Sequence, residues 1–307
     1  MKIINHYTKS KKKVSYLPFM RLLFLFSSCV ITSLARLRRR RFIAPALRKV
    51  FIETLSFCNN DCSFCPASRI AKIKNPQHRM SDETFEKIIT QLQQIKFEGT
   101  LSLYCNNEPL IDSRIPYFIE KLRCRFPMNK IEIITNGINL TVSLAEKVFS
   151  CGLSVLIINH YDNALLLSES LKKFVEDFSK SPHHSKVSIY LRLKDEALSN
   201  RVGNAANTKH IDKFLPLWCC LPFEQLYLNY AGEVILCCSD VLWEMQLGNV
   251  NRNPIEEIWQ NKEFSRIRNA LLDGRRDKVG ICKRCDFLGI KHEPKAFLST
   301  VASLFSM

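Results

Sequence analysis

The stretch FCNNDCSFCP, residues 57–66, places Cys58, Cys62 and Cys65 within eight positions, spaced C-x3-C-x2-C. Cysteines at such short spacings bind metal, and each must first lose its proton to become a ligand. A structural zinc ion needs four ligands, and a cubane [4Fe–4S] cluster held wholly by protein also needs four. Three cysteines in one loop would leave one iron of such a cluster without a protein ligand, free for a small molecule. A structural zinc ion, or three merely buried thiols, is the plainer alternative. A second group lies downstream: Cys219 and Cys220, Cys237 and Cys238, and the C-x2-C pair Cys282 and Cys285. Two separated thiolates plus that pair complete one four-cysteine site, for zinc or for an iron–sulfur cluster.

Elements must hold these residues. From Val50 onward strand-like and helix-like stretches alternate. KVFIETLSF (49–57), TLSLYC (100–105), KIEIITNG (130–137), LSVLIIN (153–159) and KVSIYLRL (186–193) read as five strands, and FEQLYLNY (223–230) as a sixth. Between the first five lie SDETFEKIITQLQQI (81–95), RIPYFIEKLRCRF (114–126), TVSLAEKVFSCG (141–152) and ALLLSESLKKFVEDFSK (164–180). These are read as helices, the first with apolar residues at helical spacing and Ser81 as N-cap. Such alternation makes a parallel sheet with helices outside it. Six strands are too few to close an eight-stranded barrel. The expected fold is therefore α/β, a partial (β/α)6 TIM-like barrel, laterally open, with a small C-terminal cysteine-rich β-hairpin/helix domain. In such sheets the chemistry sits at the C-terminal ends of the strands. The three cysteines follow the first strand, CNNEPL the second, TNG the third, and Asn159 and His160 the fourth. In the C-terminal part a hairpin turns at YAGE, and one helix is expected over NPIEEIWQNKEFSRIRNALLDG (253–274). The expected division is an arm at 1–45, the barrel at 46–212, the cysteine-rich domain at 213–295 and a tail at 296–307.

Composition bounds the rest. The net charge is +16, but residues 1–50 hold thirteen Lys and Arg and no acid, leaving the remainder at only +3. A near-neutral body gives no reason to expect specific nucleic-acid binding. Residues 17–35 are largely apolar and lie between KKK and RLRRRR. The clean apolar run is shorter than the roughly 20 residues a spanning helix needs. A helix lying on an anionic membrane surface is the expected form. Thirteen cysteines in a chain of 307 residues do not make a small disulfide scaffold. Metal thiolates persist in a reducing compartment, so a cytoplasmic protein, peripheral on the inner face of the membrane, is expected. Cys105, Cys124 and Cys151 lack such context and are read as core thiols.

C-x3-C-x2-C with an aromatic, Phe64, before the third cysteine resembles the signature of the radical S-adenosylmethionine (SAM) enzymes. NNEP (106–109) resembles their G-G-E-P motif after the second strand, and ITNG (134–137) their frequent T-N-G after the third. The resemblance covers roughly residues 50–200, in order. Asn106 and Asn107 depart from the family's glycines, though Asn tolerates unusual backbone angles. The resemblance implies a [4Fe–4S] cluster on Cys58, Cys62 and Cys65, with SAM at its open iron. It also implies SAM contacts from Phe64, Asn107, Glu108, Pro109, Asn136, Asn159 and Arg192. The implied reaction is reductive cleavage of SAM to a 5′-deoxyadenosyl radical that takes hydrogen from an unreactive C–H bond. A reductant protein of ferredoxin or flavodoxin type is implied as partner.

Cys219-x12-Gly232-x4-Cys237, followed by LGNV and PIEEIW, is similar to the SPASM/twitch extension of these enzymes. The similarity implies one auxiliary [4Fe–4S] cluster on Cys219, Cys237, Cys282 and Cys285. The run Cys-x2-Pro-Phe favours Cys219 over Cys220, and the glycine spacing favours Cys237 over Cys238. The expected function is radical SAM chemistry on a peptide, sugar or lipid-linked substrate. The rival from another class is a non-enzymatic zinc or iron protein that binds a membrane or nucleic acid through its basic arm.

Overall fold

The computed structural model describes residues 1–5, 46–62, 64–66, 78–195, 199–205 and 211–289. Most of the expected arm (6–45) and all of the expected tail (296–307) lie outside the described residues, and so does the expected membrane-lying helix. Nine strands make one sheet: β1 (Lys2–Asn5), β2 (Lys49–Ile52), β3 (Thr100–Ser102), β4 (Ile131–Thr135), β5 (Val155–Tyr161), β6 (Val187–Arg192), β7 (Gln225–Leu228), β8 (Glu233–Ile235) and β9 (Gln246–Asn249). Their order is β1-β6-β5-β4-β3-β2-β7-β8-β9, so the sheet does not close on itself. Strands β2 to β6 are parallel neighbours in sequence order. They are joined by α1 (Asp82–Gln94), α2 (Ile115–Arg125), α3 (Val142–Ser150) and α4 (Glu169–Phe178). This is the expected open partial barrel.

Its two edges were not foreseen. FEQLYLNY does supply a strand, but β7 lies parallel beside β2, Lys49 opposite Gln225 through Ile52 opposite Leu228, rather than after β6. The far side of β6 is taken by β1, with Lys2 opposite Ser188. Apolar patterning identifies a strand but not its neighbour. Every residue of β7 is buried, which demands partners on both sides, and β8 pairs antiparallel with its other edge.

Local rules explain two further differences. Helix α4 starts at Glu169, not near 164, because Leu165 has φ +57° and the Ser168 hydroxyl caps the helix by accepting from the Leu171 amide. Beyond a single turn, α5 (Leu221–Glu224), the expected helix over 253–274 is two helices, α6 (Ile255–Gln260) and α7 (Lys262–Leu272). Asn261 is extended between them; its side chain accepts from the Phe264 amide at 2.8 Å and donates to the Leu247 carbonyl at 2.8 Å. A short amide side chain competing for backbone groups ends one helix and caps the next.

Inside the barrel, Lys49 and Glu132 form an ion pair, and the Ser102 hydroxyl donates to Glu132 at 2.9 Å. Lys130 pairs with the other oxygen of Glu132 at 2.8 Å, so two lysines share this buried carboxylate. Two residues further along β2, Phe51 stacks on Tyr227 at 4.6 Å and meets Tyr104 edge-on at 5.4 Å. Each such aromatic pair adds about 1 kcal/mol beyond its buried area. The floor is thus filled, and open space is left at the C-terminal strand ends.

Candidate active site and a second cysteine cluster

Cys58, Cys62 and Cys65 line a cavity of about 190 Å³ at those strand ends. Of the other predicted site residues, Phe64, Asn107, Glu108, Asn136 and Asn159 share this lining, whereas Pro109 and Arg192 do not. Pro109 opens a buried 3₁₀ turn, and Arg192 ends β6 opposite Tyr161. Phe64 is 4% exposed and packs on the Tyr161 ring at 5.3 Å, which walls the cysteine loop on one side.

Hydrogen bonds stitch the three motifs together. The Glu108 amide donates to the Phe57 carbonyl at 2.9 Å, which ties the NNEP loop to the start of the cysteine loop. Its carboxylate, 2% exposed, accepts from the Thr135 hydroxyl at 2.6 Å and from the Asn136 and Leu110 amides at 2.7 and 3.1 Å. Glu108 is therefore a clasp between the ends of β3 and β4. The Asn136 side chain continues the line, donating to Asn59 at 2.8 Å and lying 3.9 Å from the Cys58 sulfur. Behind the NNEP loop, Glu53 is buried and accepts from the Asn106 amide at 3.0 Å; its other oxygen has no hydrogen-bond partner among the described residues. Burial pushes this carboxyl up to about 7, against the opposing pull of the Asn106 amide.

Burial also pushes the Cys58 and Cys62 thiols up to about 11 and about 12, with neighbouring negative charges adding to the shift. They are neutral thiols until a cation arrives to favour the thiolate. Among the described residues no three His, Cys, Asp or Glu side chains converge closely enough to hold a single metal ion. The thiols ring a space rather than a point.

Sequence reasoning missed Arg201, Tyr104, Tyr161 and Cys105, which also line the cavity. Arg201, Val202 and Gly203 have φ of +47°, +52° and +87°. The left-handed region is costly for a β-branched residue such as Val202. The C-x2-C segment holds the turn in place. Ser199 and the Asn200 amide both donate to Asp286 at 3.0 Å, and the Asn200 side chain donates to the Arg284 carbonyl at 2.7 Å. Ser199, Asn200, Gly203 and Asn204 were the local signals of a turn. Arg201 faces the open cavity, whereas Val202 lines a second one.

That second cavity, about 20 Å³, is lined by all four predicted thiols, Cys219, Cys237, Cys282 and Cys285. Cys220 and Cys238 are not part of the lining, and Cys220 is packed in the core at 0% exposure. The hairpin that carries Cys237 turns at Gly232, φ +76°, where the Asn229 side chain accepts from the Ala231 and Glu233 amides. Burial raises all four thiols, Cys219 to about 11, and the Arg276 guanidinium opposes the shift at Cys219, Cys282 and Cys285. An enclosed, all-sulfur donor set fits an iron–sulfur cluster, and among the described residues no three thiols converge closely enough for a single zinc ion. Of the cysteines read as core thiols, Cys105 lines the open cavity and Cys124 is exposed.

A family model for the radical SAM superfamily matches residues 52–161, and one for an iron–sulfur cluster-binding domain, SPASM, matches residues 219–286. The chain is 28% identical over 242 residues to the S-adenosyl-L-methionine-dependent 2-deoxy-scyllo-inosamine dehydrogenase of Niallia circulans, covering 79% of this chain and 94% of that protein. Its fold is similar to the crystal structure of BtrN in complex with AdoMet and 2-DOIA, with a TM-score of 0.69, 24% identity, and 80% and 95% of the two chains covered. BtrN in an open conformation superposes with a TM-score of 0.60, 22% identity, and 80% and 94% covered.

Proposed function

Because this chain is a radical SAM enzyme with a C-terminal SPASM domain, we propose that it oxidises a hydroxyl-bearing carbon of a small sugar-like ring. Cys58, Cys62 and Cys65 would hold the SAM-binding cluster, and Asn107, Glu108, Asn136 and Asn159 would seat SAM beside it, with Pro109 shaping the turn behind Glu108. When bound, the cluster and SAM supply a 5′-deoxyadenosyl radical, with the electron drawn from a reductant of ferredoxin or flavodoxin type. Phe64 and Tyr161 exclude water on one side. Arg192, beside Tyr161, bears on that wall.

Turning a carbinol into a ketone removes one hydrogen atom, one proton and one further electron. That electron needs an acceptor. Cys219, Cys237, Cys282 and Cys285 would hold one auxiliary cluster suited to take it. The reading rests chiefly on the juxtaposition of the two thiol sets, which share the 199–204 turn as a wall. The dehydrogenase named among the relatives supports it. So do the hydrogen-bonding groups of Asn60, Tyr104, Tyr161 and Arg201 around the open cavity, which suit a polyhydroxylated ring.

The test is anaerobic turnover with SAM, a reductant and a panel that includes 2-deoxy-scyllo-inosamine, other cyclitols and model peptides. The expected result is 5′-deoxyadenosine together with a cyclitol 2 Da lighter (the loss of two hydrogens), with deuterium passing from the oxidised carbon into 5′-deoxyadenosine. Deuterium transfer from a peptide, with every cyclitol unchanged, would sink the reading.

Residues 6–45 are proposed as a basic, apolar anchor on an anionic membrane surface. Among the described residues no helix is long and apolar enough to cross a membrane. Replacing Arg36, Arg38, Arg39, Arg40 and Arg41 by Gln should release the protein from anionic vesicles in sedimentation. Unchanged sedimentation would refute the anchor.

A further inference from the structure

Among the described residues, Arg276 is the one charged side chain that shares the lining of the four-thiol cavity. It is 1% exposed. Its guanidinium donates from Nε to the Leu217 carbonyl at 2.8 Å, from Nη1 to Phe287 at 2.6 Å and from Nη2 to Trp218 at 2.8 Å. Two of these carbonyls lie just before Cys219 and the third just after Cys285, so the clamp joins both ends of the cysteine-bearing segment. Gly289, φ +88°, completes it. A Cβ there would sit 2.0 Å from the Trp218 carbonyl oxygen and 3.1 Å from Nη2. All three hydrogen-bond partners are neutral, and among the described residues no carboxylate forms an ion pair with Arg276. A guanidinium does not lose its proton in a protein. The structure therefore holds a permanent, immobile positive charge, without a direct ion-pair partner among the described residues, against a ring of four thiols.

We infer that Arg276 is a positioning residue of electrostatic kind: its fixed charge raises the reduction potential of the auxiliary cluster. The inference rests on the reading of Cys219, Cys237, Cys282 and Cys285 as that cluster's ligands. Reduction adds one electron and no proton to a centre already negative through its four thiolates. A neighbouring positive charge favours the reduced form, most strongly where solvent is excluded and screening is weak. Arg276 lines the same cavity as all four thiols, which places its field on the sulfur ring. An opposing buried charge lies nearby. Asp240, 0% exposed and three residues after Cys237, accepts from the Glu244 and Met245 amides at 2.8 and 2.9 Å.

The test uses the full chain with Cys58→Ala, Cys62→Ala and Cys65→Ala, so that only the auxiliary cluster contributes a signal. Iron is counted, and the midpoint potential is read by EPR-monitored redox titration under anaerobic conditions. Arg276→Gln should shift the midpoint to a more negative value. Arg276→Lys should return it close to the parent, and Asp240→Asn should shift it the opposite way. A midpoint unmoved by Arg276→Gln overturns the inference, and so does a shift in Arg276→Lys as large as in Arg276→Gln, which would mark the clamp and not the charge. If Arg276→Gln loses its iron, Asp240→Asn decides, because an unmoved midpoint there shows that fixed charges do not set the potential. A parent without iron sinks the ligand reading itself, an outcome distinct from iron present at an unmoved potential.

Discussion

Around Cys58, Cys62 and Cys65 the chain leaves about 190 Å³, walled by amide side chains, two tyrosines and Arg201. Around Cys219, Cys237, Cys282 and Cys285 it leaves about 20 Å³, walled mainly by Val202, Leu221, Pro222, Leu236 and Phe287, with Arg276 as the only charged side chain in the wall among the described residues. Two sets of thiols on one chain are thus given opposite surroundings. The open set keeps room and hydrogen-bonding groups for ligands that come and go. The closed set uses its fourth thiol and its apolar wall to keep solvent and ligands out. Ligand count alone does not make a site reactive or inert; the space beside the ligands decides what can be done there.

The sharpest way to break this contrast is to remove one thiol from each side. Cys62→Ala should abolish 5′-deoxyadenosine formation and lower iron by about four per chain; retained cleavage of SAM in anaerobic assay would refute the open-site assignment. Cys282→Ala should also lower iron by about four per chain, yet leave SAM binding at the open site measurable by equilibrium dialysis. Loss of SAM binding as well would mean that the two centres are not separable. Gly289→Ala should force open the clamp around Arg276 and Trp218, destabilising the cysteine-rich region by on the order of 4 kcal/mol in denaturant unfolding. A loss below about 1 kcal/mol would show that the clamp yields easily.

A pH effect sharpens the comparison on the open side. The Glu53 carboxyl is held at about 7, above its ordinary value of 4.5, by burial. The folded protein therefore holds this proton more tightly than the unfolded chain. The stability so gained is complete below about pH 4.5, declines as pH rises and is gone above about pH 7, a span of about 3 kcal/mol. Glu53→Gln should flatten that part of the curve in urea titrations run from pH 5 to pH 8. An unaltered slope would mean that the carboxyl is relieved by another group. The smallest effect is expected at Cys238→Ala, where iron content should not change.

Cys58, Cys62 and Cys65 were legible because ligand spacing is local and the loop follows a buried strand. Helix α1 was legible from Ser81 and the apolar period of Phe85, Ile88, Ile89 and Leu92. Arg201 and Arg276 were not. Nothing in their immediate sequence distinguishes them from surface arginines, and both are placed by contacts made across the fold: Arg201 by the turn that Arg284 and Asp286 fasten, Arg276 by carbonyls on either side of the cysteine-bearing segment. The preference for Cys219 and Cys237 over their neighbours came from family spacing, and the cavity lining agrees with it. The motif of Glu108 implied a cofactor contact, and Glu108 does line the cavity; what the sequence did not show is that its carboxylate is also engaged by Thr135, Asn136 and Leu110, a clasp formed only when β3 and β4 are side by side.

The pairing of β2 with β7 has a consequence for how the molecule is made. Lys49 meets Gln225, a partner that leaves the ribosome roughly 175 residues later, and pairings so distant in sequence are slow to form. Until then the first barrel strand presents one row of unpaired backbone amides and carbonyls, a template for wrong partners. The strand that leads into the open thiol set is thus completed only when the segment between Cys219 and Cys237 has been synthesised. The first barrel strand and the segment that carries Cys219 and Cys237 therefore reach their final places together, late in synthesis.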